Sequence, residues 1–167
     1  MDTPDGTVEP RLAPAARFSL AGRKDEESVL ELMREFYPGE GLSYRDDIAR
    51  SGLEALWRQP ALGRVCLIHA GDELAGYAVL AFGFSLEFHG RDALVDELYV
   101  RERFRGLGYG TACLAWLEEL CASEGVRAIH LEVDNENARA QRLYNRLGYR
   151  DHDRHLLTKW LTTAPEP

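Results

Sequence analysis

Residues 94–110 read LVDELYVRERFRGLGYG. Two adjacent acids, Asp96 and Glu97, sit on an apolar stretch, and a basic turn with glycines at 106, 108 and 110 follows. Glycine backbone lets N–H groups approach a ligand closely. A helix starting behind that turn adds unsatisfied N–H groups and the positive end of its dipole. Together these make an anion site suited to a phosphate or pyrophosphate. It is not a P-loop, because no Lys-Ser/Thr follows the glycines. Nor is it the dinucleotide fingerprint, because the spacing is G-x-G-x-G and the turn lies past the middle of the chain, not in a first strand–turn–helix. Taken alone, the turn also fits a tight connection before a helix.

A second cluster lies downstream. Residues 128–133 (AIHLEV) read as a strand, followed by Asp134-Asn135-Glu136-Asn137. A short helix with Ala140, Leu143, Tyr144 and Leu147 comes next, and the run closes on Gly148-Tyr149. Asn137 has the character of a helix cap. Tyr144 lies at helical spacing from Ala140, which suits packing between helix and sheet as well as chemistry. Asp96 and Glu97 fall on opposite faces of a regular strand, so one acid alone can enter a cleft unless a bulge intervenes. An ordinary carboxylate there is a weak base, so it would bind a cation or relay a proton through water.

The pattern Arg105-x-x-Gly108-x-Gly110, with the strand, Asn137, Tyr144 and Gly148-Tyr149 of the second cluster, resembles the GCN5-related N-acetyltransferase (GNAT) family. The two motifs stand in that family's order and cover about a third of the chain. The resemblance implies an α/β (α+β mixed) fold. Its sheet is mixed and mostly antiparallel, strands 4 and 5 are parallel and splay apart, and helices cover both faces. It implies acetyl-CoA as cosubstrate, its pyrophosphate held by backbone around Arg105, Gly106, Gly108, Tyr109, Gly110 and Thr111. The Arg105 side chain either adds charge or points away. Leu98 and Val100 lie on the strand edge that pairs with the pantetheine arm, and the Leu98 N–H is the candidate for polarising the thioester carbonyl. Asn137 is expected to hydrogen-bond the arm. Tyr144 is expected to act as general acid toward the CoA sulfur. An acid at the position of Asp96 lies near the acceptor in the polyamine and aminoglycoside types, and a second at Glu97 occurs in the polyamine type. The histone type has its base two positions earlier, where this chain has Leu94. The expected reaction is direct transfer of acetyl to a primary amine of a small cationic molecule (polyamine, aminoglycoside or amino-acid-like). A protein lysine or N-terminal amine is the alternative acceptor. A non-catalytic acyl-CoA-binding module is the alternative of another class, and it would need neither Tyr144 nor the acid pair.

The elements that must position these residues follow from periodicity. Residues 16–20 suit a first strand. Val29, Leu32, Met33 and Phe36 mark an amphipathic helix over 25–37 with Asp25 as N-cap, and a second helix spans 44–58. Residues 64–70 and 73–84 form a hairpin around Gly71-Asp72, and 93–100 form the next strand. A helix over 108–124 carries Cys113, Trp116, Leu117 and Leu120 on one face, and 155–161 read as a last strand.

At 167 residues the chain fits one domain, expected over 16–163, after a Pro/Ala-rich tail to residue 15. Its start has no basic-then-apolar signal pattern, and no run approaches the ~20 apolar residues of a membrane span. Cys66, Cys113 and Cys121 are odd in number and read as buried thiols of a cytoplasmic protein. No histidine has a partner at ligand spacing, so no metal is assigned. His89, Phe36, Tyr37, Glu40 and Glu87 fall in segments where acceptors enter this fold. The net charge of −8 disfavours a nucleic-acid surface; it suits either a cationic amine or solubility alone. The expected partner is a small-molecule amine, with no nucleic acid and no membrane, and the family leaves a homodimer open.

Overall fold

The apolar runs of the middle of the chain form a sheet covered on both sides. In the computed structural model, described over residues 15–162, β2 (Gly63–Ala70), β3 (Glu73–Ser85) and β4 (Gly90–Val100) pair antiparallel in succession. β1 (Ala16–Leu20) joins β2 antiparallel, and β5 (Ala128–Leu131) joins β4 parallel. The order is β1-β2-β3-β4-β5. β2 sends Cys66, Ile68 and Ala70 to one face and Val65 and Leu67 to the other. Burial on both faces explains why this strand lacks a polar alternation.

Helix α1 (Glu26–Phe36) and helix α2 (Asp46–Arg58) close one face with Val29, Leu30, Leu32, Met33, Ala49 and Leu53. Helix α3 (Tyr109–Ser123) closes the other through Cys113, Leu114, Leu117 and Cys121. Helix α4 (Ala138–Arg146) lies on the α3 side, where Tyr144 and the following Leu147 pack against the same core. Helices thus cover both faces of a mixed sheet, as the resemblance implied. The three thiols are free and buried, and burial pushes each of them up from its ordinary pKa.

Some local expectations differ. The Asp25 carboxylate does not cap α1. It accepts the Gly22 N–H at 2.9 Å inside the preceding 3-10 turn. α2 starts at Asp46, whose carboxylate accepts from Tyr44 Oη at 3.0 Å and from Arg50 Nε at 2.6 Å. No strand forms over 155–161. Residues 152–154 are held on the β3–β4 turn by a Phe88–His152 ring contact at 5.9 Å and an Arg154–Glu87 ion pair at 2.9 Å. β5 ends after four residues, so the chain beyond has only a short edge to pair with, and Leu156, Leu157, Trp160 and Leu161 are exposed. The tail expected over 1–15 lies, up to residue 14, outside the described residues. Among the described residues no helix is long and apolar enough to cross a membrane.

Candidate active site

β4 carries both acids, and its register decides where they point. Leu80 pairs with Val95 and Val79 with Glu97, so Asp96 is an extra residue, a β-bulge. Before it, Ala93 and Val95 face the α3 side; after it, Leu98 and Val100 do. Strict alternation would put Glu97 on the same face as Val95, inside an apolar core. The bulge shifts the pleat by one and turns Glu97 and Tyr99 toward the α1–α2 side. There the two Glu97 oxygens are taken separately. Tyr37 Oη donates to Oε1 at 2.7 Å, and Tyr77 Oη donates to Oε2 at 2.5 Å. Burial raises the Glu97 pKa. The two hydroxyls oppose that rise, and the adjacent Asp96 charge adds to it. Burial, then the Glu97 carboxylate itself, keeps both phenols protonated well above their usual range. Asp96 is exposed.

The parallel ladder with β5 ends just before this bulge. β4 and β5 pair from Asp92↔Ala128 to Val95↔Leu131 and no further, although β4 runs on to Val100. From Asp96 to Val100 the β5-facing edge of β4 therefore has no strand partner. Leu98 and Val100 lie on this stretch of edge, which is unpaired among the described residues.

The glycine turn sits where β4 ends. A 3-10 turn over Glu102–Phe104 leads into it, and α3 begins at Tyr109. Gly106 (φ 78°) and Gly108 (φ 90°) are left-handed, a conformation that side chains resist. Buried rings anchor both ends of the turn, Phe104 and Tyr109 meeting edge to face at 5.9 Å. Between these anchors residues 105–108 are exposed, and Gly108 as N-cap offers α3 no capping side chain. The Tyr109 side chain belongs to the core, so only its backbone can face a ligand. The Arg105 side chain turns back: Nε donates to the Val100 carbonyl at 2.8 Å, and the guanidinium lies 5.6 Å from the Tyr99 ring. Gly110 and Thr111 occupy the first turn of α3.

Asn137 caps α4, its Oδ1 accepting the Ala140 N–H at 3.0 Å. Gln141 Nε2 donates to the Asp134 and Asn135 carbonyls at 3.1 and 3.0 Å, fixing the loop that carries Asn137. Tyr144 is half-buried, meets Tyr149 at 5.9 Å, and has its pKa raised by burial. Phe36 joins the Tyr77 and Tyr99 rings at 6.2 and 5.4 Å, which is packing. His89 and Glu87 do not join the site. They lie in the β3–β4 turn, roughly 20 Å along β4 from Asp96 at ~3.3 Å per residue. Glu40 is exposed at the end of the 3-10 turn Tyr37–Glu40. No group of three His, Cys, Asp or Glu side chains suited to a metal occurs among the described residues. The residue that sequence reading missed is Tyr77. Its signal was a hydroxyl among the small and aliphatic residues Leu74–Ala81 of β3.

Comparison with known proteins agrees with this geometry. A bovine (Bos taurus) thialysine N-epsilon-acetyltransferase is 28 % identical over 133 residues, covering 74 % of this chain and 78 % of its own. A solved integron cassette protein from the mobile metagenome of the Cole Harbour salt marsh superposes with a TM-score of 0.78 at 35 % identity, over 88 % of this chain and 91 % of that one. AAC(6')-Iy, solved with the bisubstrate analogue CoA-S-monomethyl-acetylneamine, shares the fold at a TM-score of 0.75 and 15 % identity, over 89 % and 99 % of the two chains. The family model "Acetyltransferase (GNAT) family" matches residues 26–149, well over half of the sequence. The chain therefore belongs to the GNAT family and is an N-acetyltransferase with acetyl-CoA as its donor.

Proposed function

We propose that the enzyme moves acetyl from acetyl-CoA to the primary amine of a small cationic molecule by direct attack in a ternary complex. The observation that carries this reading is the acid pair at the β4 bulge. One half-buried carboxylate with a raised pKa stands beside one exposed carboxylate, where the pairing of β4 with β5 ends. Asp96 attracts the ammonium, aided by the net charge of −8. Glu97 accepts the proton, directly or through one water; a raised pKa makes it a better base for an amine than an ordinary carboxylate. The freed nitrogen lone pair attacks the thioester carbonyl, whose oxygen is polarised by the Leu98 N–H on the open edge. Collapse of the tetrahedral oxyanion breaks the C–S bond, the departing thiolate takes the Tyr144 proton, and the second proton of the attacking nitrogen leaves to solvent, which reprotonates Tyr144. Burial of Tyr144 favours its neutral form, so the proton stays until that thiolate develops.

In this reading the pantetheine arm lies along Leu98 and Val100, with Asn137 on the other side of the opening. The pyrophosphate rests on backbone at Arg105, Gly106, Gly108, Tyr109, Gly110 and Thr111. The Arg105 side chain acts structurally, clasping the end of β4. A covalent cysteine route is disfavoured because all three thiols are buried with raised pKa values, the opposite of a nucleophile's setting. Free thiols also suit the reducing cytoplasm. The thialysine N-epsilon-acetyltransferase relatives support a small, amino-acid-like acceptor over a protein chain.

The test of function is CoA thiol release from acetyl-CoA with polyamines, aminoglycosides, free amino acids including thialysine, and a lysine peptide, against a no-acceptor blank. Release with a small amine is expected. Release with the peptide alone would contradict the acceptor class. Tyr144→Phe should lower kcat about 100-fold or more with acetyl-CoA affinity unchanged; unaltered kcat would remove the general-acid role. Gly110→Leu should keep the fold, since a Cβ there meets only Val100 Cγ2 at 4.0 Å and helix propensity rises by up to about 1 kcal/mol. Its acetyl-CoA Kd should rise at least about tenfold, the equivalent of one lost phosphate contact. A stable variant with unchanged Kd would move the pyrophosphate elsewhere.

A further inference from the structure

A carboxylate placed at Glu97 faces a conflict. Burial alone favours its protonated form, and a protonated acid cannot take an amine's proton. The two hydroxyls on it come from different elements. Tyr77 is fully buried on β3, and Tyr37 stands in the 3-10 turn after α1 with its ring edge to face with Phe36 at 6.0 Å and Tyr44 at 5.8 Å. Each binds a different Glu97 oxygen. Since a carboxylate oxygen has two lone-pair directions, each keeps one for an incoming proton.

We infer that Tyr37 and Tyr77 are positioning residues for the proton transfer: their hydroxyls clamp the two Glu97 oxygens so that a half-buried carboxylate stays ionised and fixed in direction toward the acceptor amine. This rests on Glu97 being the proton acceptor proposed above. The clamp gives up no proton of its own. The amine N–H bond breaks, Glu97 gains that proton, and both phenol O–H bonds persist.

The titratable and charged groups around this carboxylate are few. Tyr37 faces it from the turn after α1, Tyr77 from β3, and Asp96 from β4 itself. Tyr44, against Tyr37, donates to Asp46 from the start of α2. Arg101 is engaged by Glu31 and Glu35 of α1 at 2.5 and 2.7 Å, and Arg105 by the Val100 carbonyl. No cation bonds to Glu97 among the described residues, which leaves the hydroxyls as its stabilising donors.

The sign follows. Each hydroxyl favours the charged form, so removing one raises the pKa of Glu97 further, and activity that needs the carboxylate is lost at a higher pH as pH falls. Tyr37→Phe keeps the ring contacts and removes one donor; Tyr77→Phe removes the other from inside the core. Both are measured in the full chain in two ways. Glu97 is titrated directly by NMR of 13C-carboxyl-labelled glutamate, its signal identified by its loss in Glu97→Gln, and kcat is profiled against pH with the best amine. For Tyr37→Phe the Glu97 titration and the acid limb of kcat should both move up by about one pH unit, the equivalent of one charge-assisted hydrogen bond. An unmoved Glu97 titration in both variants would overturn the clamp. A moved titration with an unmoved acid limb would retire Glu97 as proton acceptor, and the positioning role with it. The NMR titration needs no turnover, so it decides the clamp even if every amine in the panel fails.

Discussion

Val95 and Leu98 point to the same side of the sheet though they are three residues apart, which a regular strand does not allow. The extra residue at Asp96 resolves this, and much of the site depends on it. It returns Leu98 and Val100 to the α3-side core while sending Glu97 and Tyr99 to the other side. It lies just past the last pair of the parallel ladder, Val95↔Leu131, where β5 itself ends. One backbone irregularity thus sends Glu97 to the face opposite Val95, next to the stretch of β4 that β5 does not cover. Bulges are common next to active sites because they re-aim a side chain at small cost.

The surroundings keep this arrangement from relaxing. β4 is tied to β3 along nearly its whole length, and its end is clasped by Arg105. The glycine turn hangs between the buried rings of Phe104 and Tyr109, so its exposed backbone has rigid ends. On the opposite face, aromatic contacts among Phe36, Tyr37, Tyr77 and Tyr99 fill the space around Glu97. A charged group is tolerated there because two hydroxyls supply what water would have supplied.

The amino-acid sequence made the sheet, its helices and the glycine turn legible, because periodicity and turn chemistry are local. Residues 64–70 and 73–84 announce a hairpin without knowledge of their neighbours. The face of Glu97 was not legible. Two adjacent acids alternate by default, and the bulge that overrides this is imposed by pairing with β3. Tyr77 was equally hidden: its partner is twenty positions away, and a hydroxyl in an apolar run reads as packing until the fold is seen. Asp25 looked like a cap for α1 and instead serves Gly22, a choice between neighbouring N–H groups that composition does not determine. The run over 155–161 has strand-like side chains but no template beside it, since β5 is short and residues 152–154 are held on the β3–β4 turn.

The crystal structure of the complex with CoA and a slow amine acceptor is the most direct measurement. It should place the pyrophosphate within hydrogen-bonding distance of backbone N–H groups between residues 106 and 111. The pantetheine should run along β4 from Val100 toward Asp96, with the amine beside Asp96 and Glu97. A pantetheine bound elsewhere, with β4 and β5 paired beyond Val95↔Leu131, would contradict the role given to the bulge.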